Sequence, residues 1–175
     1  MQNPHPLFVH FPIAFLSAFS AATWLALVVR RPGLDRFARA CLFVGTVAAA
    51  VTVVSGFLAE QSVARVAAAA GPLERHRIAG YVVLGLAALL TALAAIAPRH
   101  PRRASAYRAA AAVGALGLSG VLVFGAHEGG ELVHDYGVGT RLTAPGGPLH
   151  EAPAPGDQRR APRDGAPAPT GRDFR

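Results

Sequence analysis

Four apolar runs without a single Asp, Glu, Lys or Arg, at residues 7–29, 40–59, 78–97 and 109–126, decide what this 175-residue chain folds into. They are 23, 20, 20 and 18 residues long. A helix rises about 1.5 Å per residue, so roughly 20 residues cross a hydrocarbon core of about 30 Å. Only 15% of the chain is charged, against about 25% in a soluble domain. The expected fold is all-α: an up-and-down four-helix transmembrane bundle over residues 1–139. The fourth run is the shortest and is rich in Ala, and its helix can extend into HEGGELV. The first run is preceded by MQNPHP, which has no Lys or Arg, and is too long for the apolar part of a signal peptide, so it reads as a retained helix.

Between the runs, residues 30–39 (RRPGLDRFAR) and 98–108 (PRHPRRASAYR) read as short basic turns. Residues 60–77 form a longer connection, in which SVARVAAAA has the character of a short interfacial helix. From residue 140 the chain is rich in Pro, Gly, Ala and mixed charge, which predicts a disordered C-terminal tail over 140–175. The net charge of +7 comes from Arg alone, since there is no Lys. This usage suggests a GC-rich bacterial genome. Because the Arg residues flank apolar spans, topology explains them better than nucleic-acid binding.

Eight arginines (Arg30, Arg31, Arg36, Arg39, Arg99, Arg102, Arg103 and Arg108) lie in the first and third loops. Four (Arg65, Arg75, Arg77 and Arg141) lie near span ends on the other side. The excess predicts cytoplasmic first and third loops, with both termini on the non-cytoplasmic side of a bacterial inner membrane. Cys41, the one cysteine, excludes an internal disulfide and a cysteine-rich metal site. Gly125 and Gly129 form a small-xxx-small pair suited to close helix packing. Ser17, Ser20, Ser55 and Ser119 are expected to bond their own helix backbone.

Alternating crossings bring His5 and His10, Glu60, His76, and then His127, Glu128, Glu131 and His134 to one end of the bundle. Ionisable groups at membrane depth are costly and usually face an interior, a partner or a cavity. His10, set in LFVHFPIAF, is the clearest case. Three readings follow. Imidazoles from different helices can hold haem b, with His10 pairing with His76 or His127 and His5 as a further candidate. Gly80 would leave room for the macrocycle, and Arg65, Arg75 or Arg77 would meet its propionates. Alternatively, His127, Glu131 and His134, at i, i+4 and i+7, would hold zinc or non-haem iron. A proton path or quinone pocket using Glu60 and the histidines is the third. No nucleophile elbow, phosphate-binding loop or dinucleotide fingerprint is present, so the sequence gives no basis for an enzymatic role.

HPLFVHFPIAF (residues 5–15) and GGELVHDYGVGT (residues 129–140) resemble the opening and closing motifs of the domain-of-unknown-function 2231 family of predicted bacterial membrane proteins. The likeness covers about residues 3–140. The closing motif has an aromatic residue where this chain has His134, and His or Tyr where it has Tyr136. His5, His10 and His76 match the pattern. The resemblance implies a four-helix membrane domain without established activity. Family members joined to Rieske or cytochrome-like modules imply a redox setting, with redox membrane proteins as partners. Two functional classes follow: a redox-linked protein holding haem b or a metal, and a non-catalytic scaffold or small transport component with structural histidines.

Overall fold

The computed structural model describes residues 5–29, 31–60 and 69–138, and the expected interfacial helix and C-terminal tail fall largely or wholly outside them. The described residues form α1 (His5–Phe8), α2 (His10–Val28), α3 (Pro32–Glu60), α4 (Ala70–Ile96) and α5 (Ala104–His134). Two single 3₁₀ turns, Ala97–Arg99 and Pro101–Arg103, join α4 to α5. Four stretches are long and apolar enough to cross a membrane: His5–Val28, Gly33–Glu60, Ala70–Arg99 and Pro101–His134. The helices pack as an up-and-down bundle in which α2 neighbours α3 and α5, and α4 neighbours α3 and α5.

The number of spans agrees with the sequence reading, but the helices run further than the apolar runs. The basic segment expected as a turn at 30–39 is mostly the first two turns of α3. A helix can begin at Pro32, since the missing N–H would have had no partner there. Asp35 also lies in the first turn, where the helix dipole favours negative charge. α5 continues through Gly129 and Gly130 to His134. At 31 residues it is about 46 Å long, longer than a hydrocarbon core, so its polar end reaches the headgroup layer.

The core is made of Leu16, Phe19, Leu42, Val83, Ala87, Leu90, Ala115 and Leu118, with small residues such as Ala22, Ala38 and Cys41 between them. Helix axes come close where glycine faces a leucine. A Cβ on Gly45 would sit 2.5 Å from Leu16 Cδ2, and one on Gly114 2.5 Å from Leu90 Cδ2. Three hydroxyls add polar ties in the middle of the bundle. Ser20 Oγ donates to its own helix at the Leu16 carbonyl (3.0 Å) and reaches the Ala115 carbonyl of α5 at 3.3 Å. Thr46 and Thr91 share a 2.9 Å hydroxyl contact between α3 and α4. Each such bond contributes on the order of 0.6 kcal/mol in a membrane bundle. Leu7, Phe11, Phe43, Val54, Leu89, Val113 and Val123 face outwards, as a lipid-facing surface requires.

Candidate functional site: the histidine end of the bundle

The opening motif builds its end of the site through a proline. Pro12 has no N–H to give the carbonyl four residues back, and its ring crowds that carbonyl. The helix yields at Val9, where the Ile13-to-Val9 bond stretches to 3.5 Å. The Phe8 carbonyl instead accepts the Thr52 hydroxyl of α3 at 3.1 Å. The short α1 is thereby docked on α3, and His5 lies over Gly56, whose Cβ, if present, would be 3.0 Å from His5 Cε1.

His5 Nδ1 lies 2.9 Å from Ser55 Oγ. The Ser55 hydroxyl spends its one proton on the Thr52 carbonyl, 2.9 Å away, so it accepts from the imidazole. His5 therefore carries its hydrogen on Nδ1.

His76 repeats the arrangement on the other helix pair. Its Nδ1 is 2.9 Å from the Gly125 carbonyl, which can only accept, so Nδ1 again bears the hydrogen. The ring rests on Gly129, where a Cβ would meet Cε1 at 2.9 Å and Nδ1 at 3.1 Å. A Cβ on Gly125 would lie 3.2 Å from that of Ala79. The Gly125–Gly129 pair thus serves the α4–α5 approach inside the bundle.

A layer of carboxylates and guanidiniums surrounds the second ring. Glu128 is 5% exposed and accepts from Arg75 Nε at 2.8 Å. Glu131 lies 3.9 Å from Arg75 and 3.3 Å from His127. Arg77 pairs with Glu74 one turn back and reaches Glu60 of α3 at 3.4 Å. These pairs link the end of α3, the start of α4 and the end of α5. The closing motif finishes α5 at Gly137, whose φ of 63° is the left-handed conformation that glycine adopts without penalty. Val138 N–H then returns to the Leu132 carbonyl at 2.7 Å.

The histidines named from sequence divide into two groups. His5 and His76 are half-buried and held by acceptors on neighbouring helices. His10 is exposed and donates from Nδ1 to the Pro6 carbonyl four residues back, at 2.8 Å. The side chain of His127 is 70% exposed, with Glu131 as its partner, and His134 is exposed at the end of α5. Among the described residues no group of three His, Cys, Asp or Glu is gathered closely enough to hold a metal ion. The expected trio of His127, Glu131 and His134 is therefore not assembled. Positions i and i+7 share a helix face but stand about 10.5 Å apart along it, too far to meet one ion.

For haem, the donor chemistry of His5 and His76 fits, since a ligating imidazole normally gives its other N–H to a carbonyl or hydroxyl. Room for a macrocycle is not supplied by Gly56 or Gly129, because the imidazoles themselves fill those seats. Gly80 is more open, with Val53 Cγ2 4.0 Å from where its Cβ would lie.

The fold and this end layer define a four-span, all-α membrane protein with inward-held histidines and paired charges at one end. The chain matches the family described as predicted membrane protein (DUF2231) over residues 2–142, and it belongs to that family. No curated protein and no solved structure matches it.

Proposed function

We propose that this protein is a redox-linked membrane component whose working part is the histidine end of the bundle, with His5 and His76 as the ligand pair for haem b. The observation that carries the reading is the shared tautomer. Two imidazoles from different spans each commit Nδ1–H to a fixed acceptor on a neighbouring helix, which orients the ring. Haem bound there would supply one-electron chemistry. The protein's own residues orient the two rings through Ser55 and the Gly125 carbonyl, and the Arg75 and Arg77 guanidiniums, held by carboxylates, lie at the same end. The electron partners in this reading are other redox membrane proteins. The arginine excess in the first and third loops supports an inner-membrane arrangement with both termini on the non-cytoplasmic side.

An absorption spectrum of the full chain, purified in detergent after expression with ample haem, tests the proposal. The expected result is a Soret band that is lost in His5→Ala and in His76→Ala and retained in His10→Ala. A second reading is favoured by a specific observation: each imidazole also fastens one helix to its neighbour and fills a glycine seat. In that reading the protein is a non-catalytic scaffold or small transport component. A missing Soret band, with no bound metal by elemental analysis, selects it.

A further inference from the structure

The two ends of the bundle treat arginine differently. At the histidine end, Arg75 and Arg77 are each paired with two carboxylates. At the opposite end stand Arg31, Arg36, Arg39, Arg99, Arg102, Arg103 and Arg108. All are exposed, and none has an ion pair with an acid among the described residues. Asp35 is the one described carboxylate there, and His100 adds a further cationic group when protonated. Arg99 uses one N–H on the Ala95 carbonyl, which anchors its guanidinium close to the end of α4. Arg99, Arg102 and Arg103 sit on the two 3₁₀ turns, each of which has Pro at its first or second position, so their backbone is stiff.

Seven guanidiniums without an acidic partner among the described residues, in short connections and first helical turns, lie where the chain leaves the hydrocarbon. In a bilayer the groups at that level are lipid headgroups. We propose that this end is a binding surface for anionic phospholipid headgroups, with guanidiniums donating to phosphate oxygens. Guanidinium suits phosphate because its planar fork can donate two parallel N–H bonds. A zwitterionic lipid carries a phosphate as well, but its cationic group opposes the field of seven arginines, so the surface selects net negative charge.

The test uses the full chain in mild detergent, with native mass spectrometry counting bound lipids from an equimolar mixture of phosphatidylglycerol and phosphatidylcholine. Wild type is expected to retain phosphatidylglycerol preferentially, and rising salt should weaken the preference. Replacing Arg99, Arg102 and Arg103 together by Gln should reduce it about fivefold or more. Arg77→Gln, at the other end, should leave it unchanged. All four changes lie at exposed side chains, and circular dichroism of each variant verifies the helices. Equal retention of the two lipids by wild type overturns the proposal. So does a preference that survives both the triple replacement and the matching Gln replacement of Arg31, Arg36 and Arg39. If inorganic phosphate displaces the lipid, the surface reads phosphate from solution and the headgroup assignment falls.

Discussion

Replacing Gly129 by Ala isolates the packing of the histidine end in one methyl group. The new Cβ would lie 2.9 Å from Cε1 and 3.1 Å from Nδ1 of His76, closer than carbon and nitrogen approach without contact strain. His76 cannot swing aside without losing its 2.9 Å bond to the Gly125 carbonyl. Overpacking costs about 1–3 kcal/mol, and the lost bond about 0.5–1.5 kcal/mol. Against these stands a helix-propensity gain of about 1 kcal/mol for Gly→Ala. Gly130 is the internal control, because a Cβ there meets nothing within 4 Å and only the propensity gain applies. The gain cancels in the comparison, leaving a difference of about 1.5–4.5 kcal/mol. The lower half of that range is expected, since the clash falls on the far edge of a side chain and not on backbone. Unfolding of the full chain from mixed micelles by rising sodium dodecyl sulfate, followed by circular dichroism, measures both variants. If Gly129→Ala proves as stable as Gly130→Ala, the imidazole does not occupy that seat, and the reasoning about His76 fails with it.

Three further outcomes follow from the same geometry. Gly45→Ala places a Cβ 2.5 Å from Cδ2 and 2.8 Å from Cγ of the fully buried Leu16, with backbone only 3.3 Å away. It should cost about 2 kcal/mol or more in the same assay, and Leu16→Ala in the same chain should recover part of the loss. Arg75→Ala strands the buried Glu128 carboxylate, whereas Glu128→Gln leaves a half-exposed guanidinium that water can reach. The first should therefore be the more damaging by about 1–2 kcal/mol, and a double-mutant cycle gives the coupling. With Cys41 replaced by Ala, single cysteines introduced at His127 and at Ser105 should react from opposite sides of the membrane with an impermeant maleimide. Labelling of both from one side contradicts an up-and-down bundle.

The four spans were legible because desolvation is unforgiving: a run of about 20 residues without formal charge has few other uses. Span ends were less legible. Polar residues from Asp35 to Arg39 and from His127 to His134 read as the ends of the spans, but they remain helical. Helices lengthen into the headgroup layer because their backbone bonds are satisfied there as well as in lipid. Alternation also brought His5, His76, Glu60 and Glu128 to one end, where ring contacts and ion pairs tie them to neighbouring helices. It did not show which imidazoles face inward.

That last distinction turned on Pro12. In an unbroken first helix, His10, alone among apolar neighbours, looks like the inward ligand, and His5 like a residue at the entrance. Pro12 removes the N–H owed to the Phe8 carbonyl, the Thr52 hydroxyl replaces it, and the first turn bends onto α3. His5 is thereby carried to Ser55 and Gly56, while His10 remains on the surface with its own backbone for a partner. Thr52 and Ser55 gave no warning in the sequence, since a hydroxyl in an apolar span most often bonds its own helix. Ser55 does so too, and because its only proton is used that way, its oxygen is left to accept from His5. The opening motif is thus better understood as a device for orienting one ring than as a pair of ligands. The closing motif has the same logic: Gly129 seats the His76 ring, and Gly137 ends α5, the helix that carries that seat. In both motifs the residues without donors or side chains, proline and glycine, decide where the imidazoles sit.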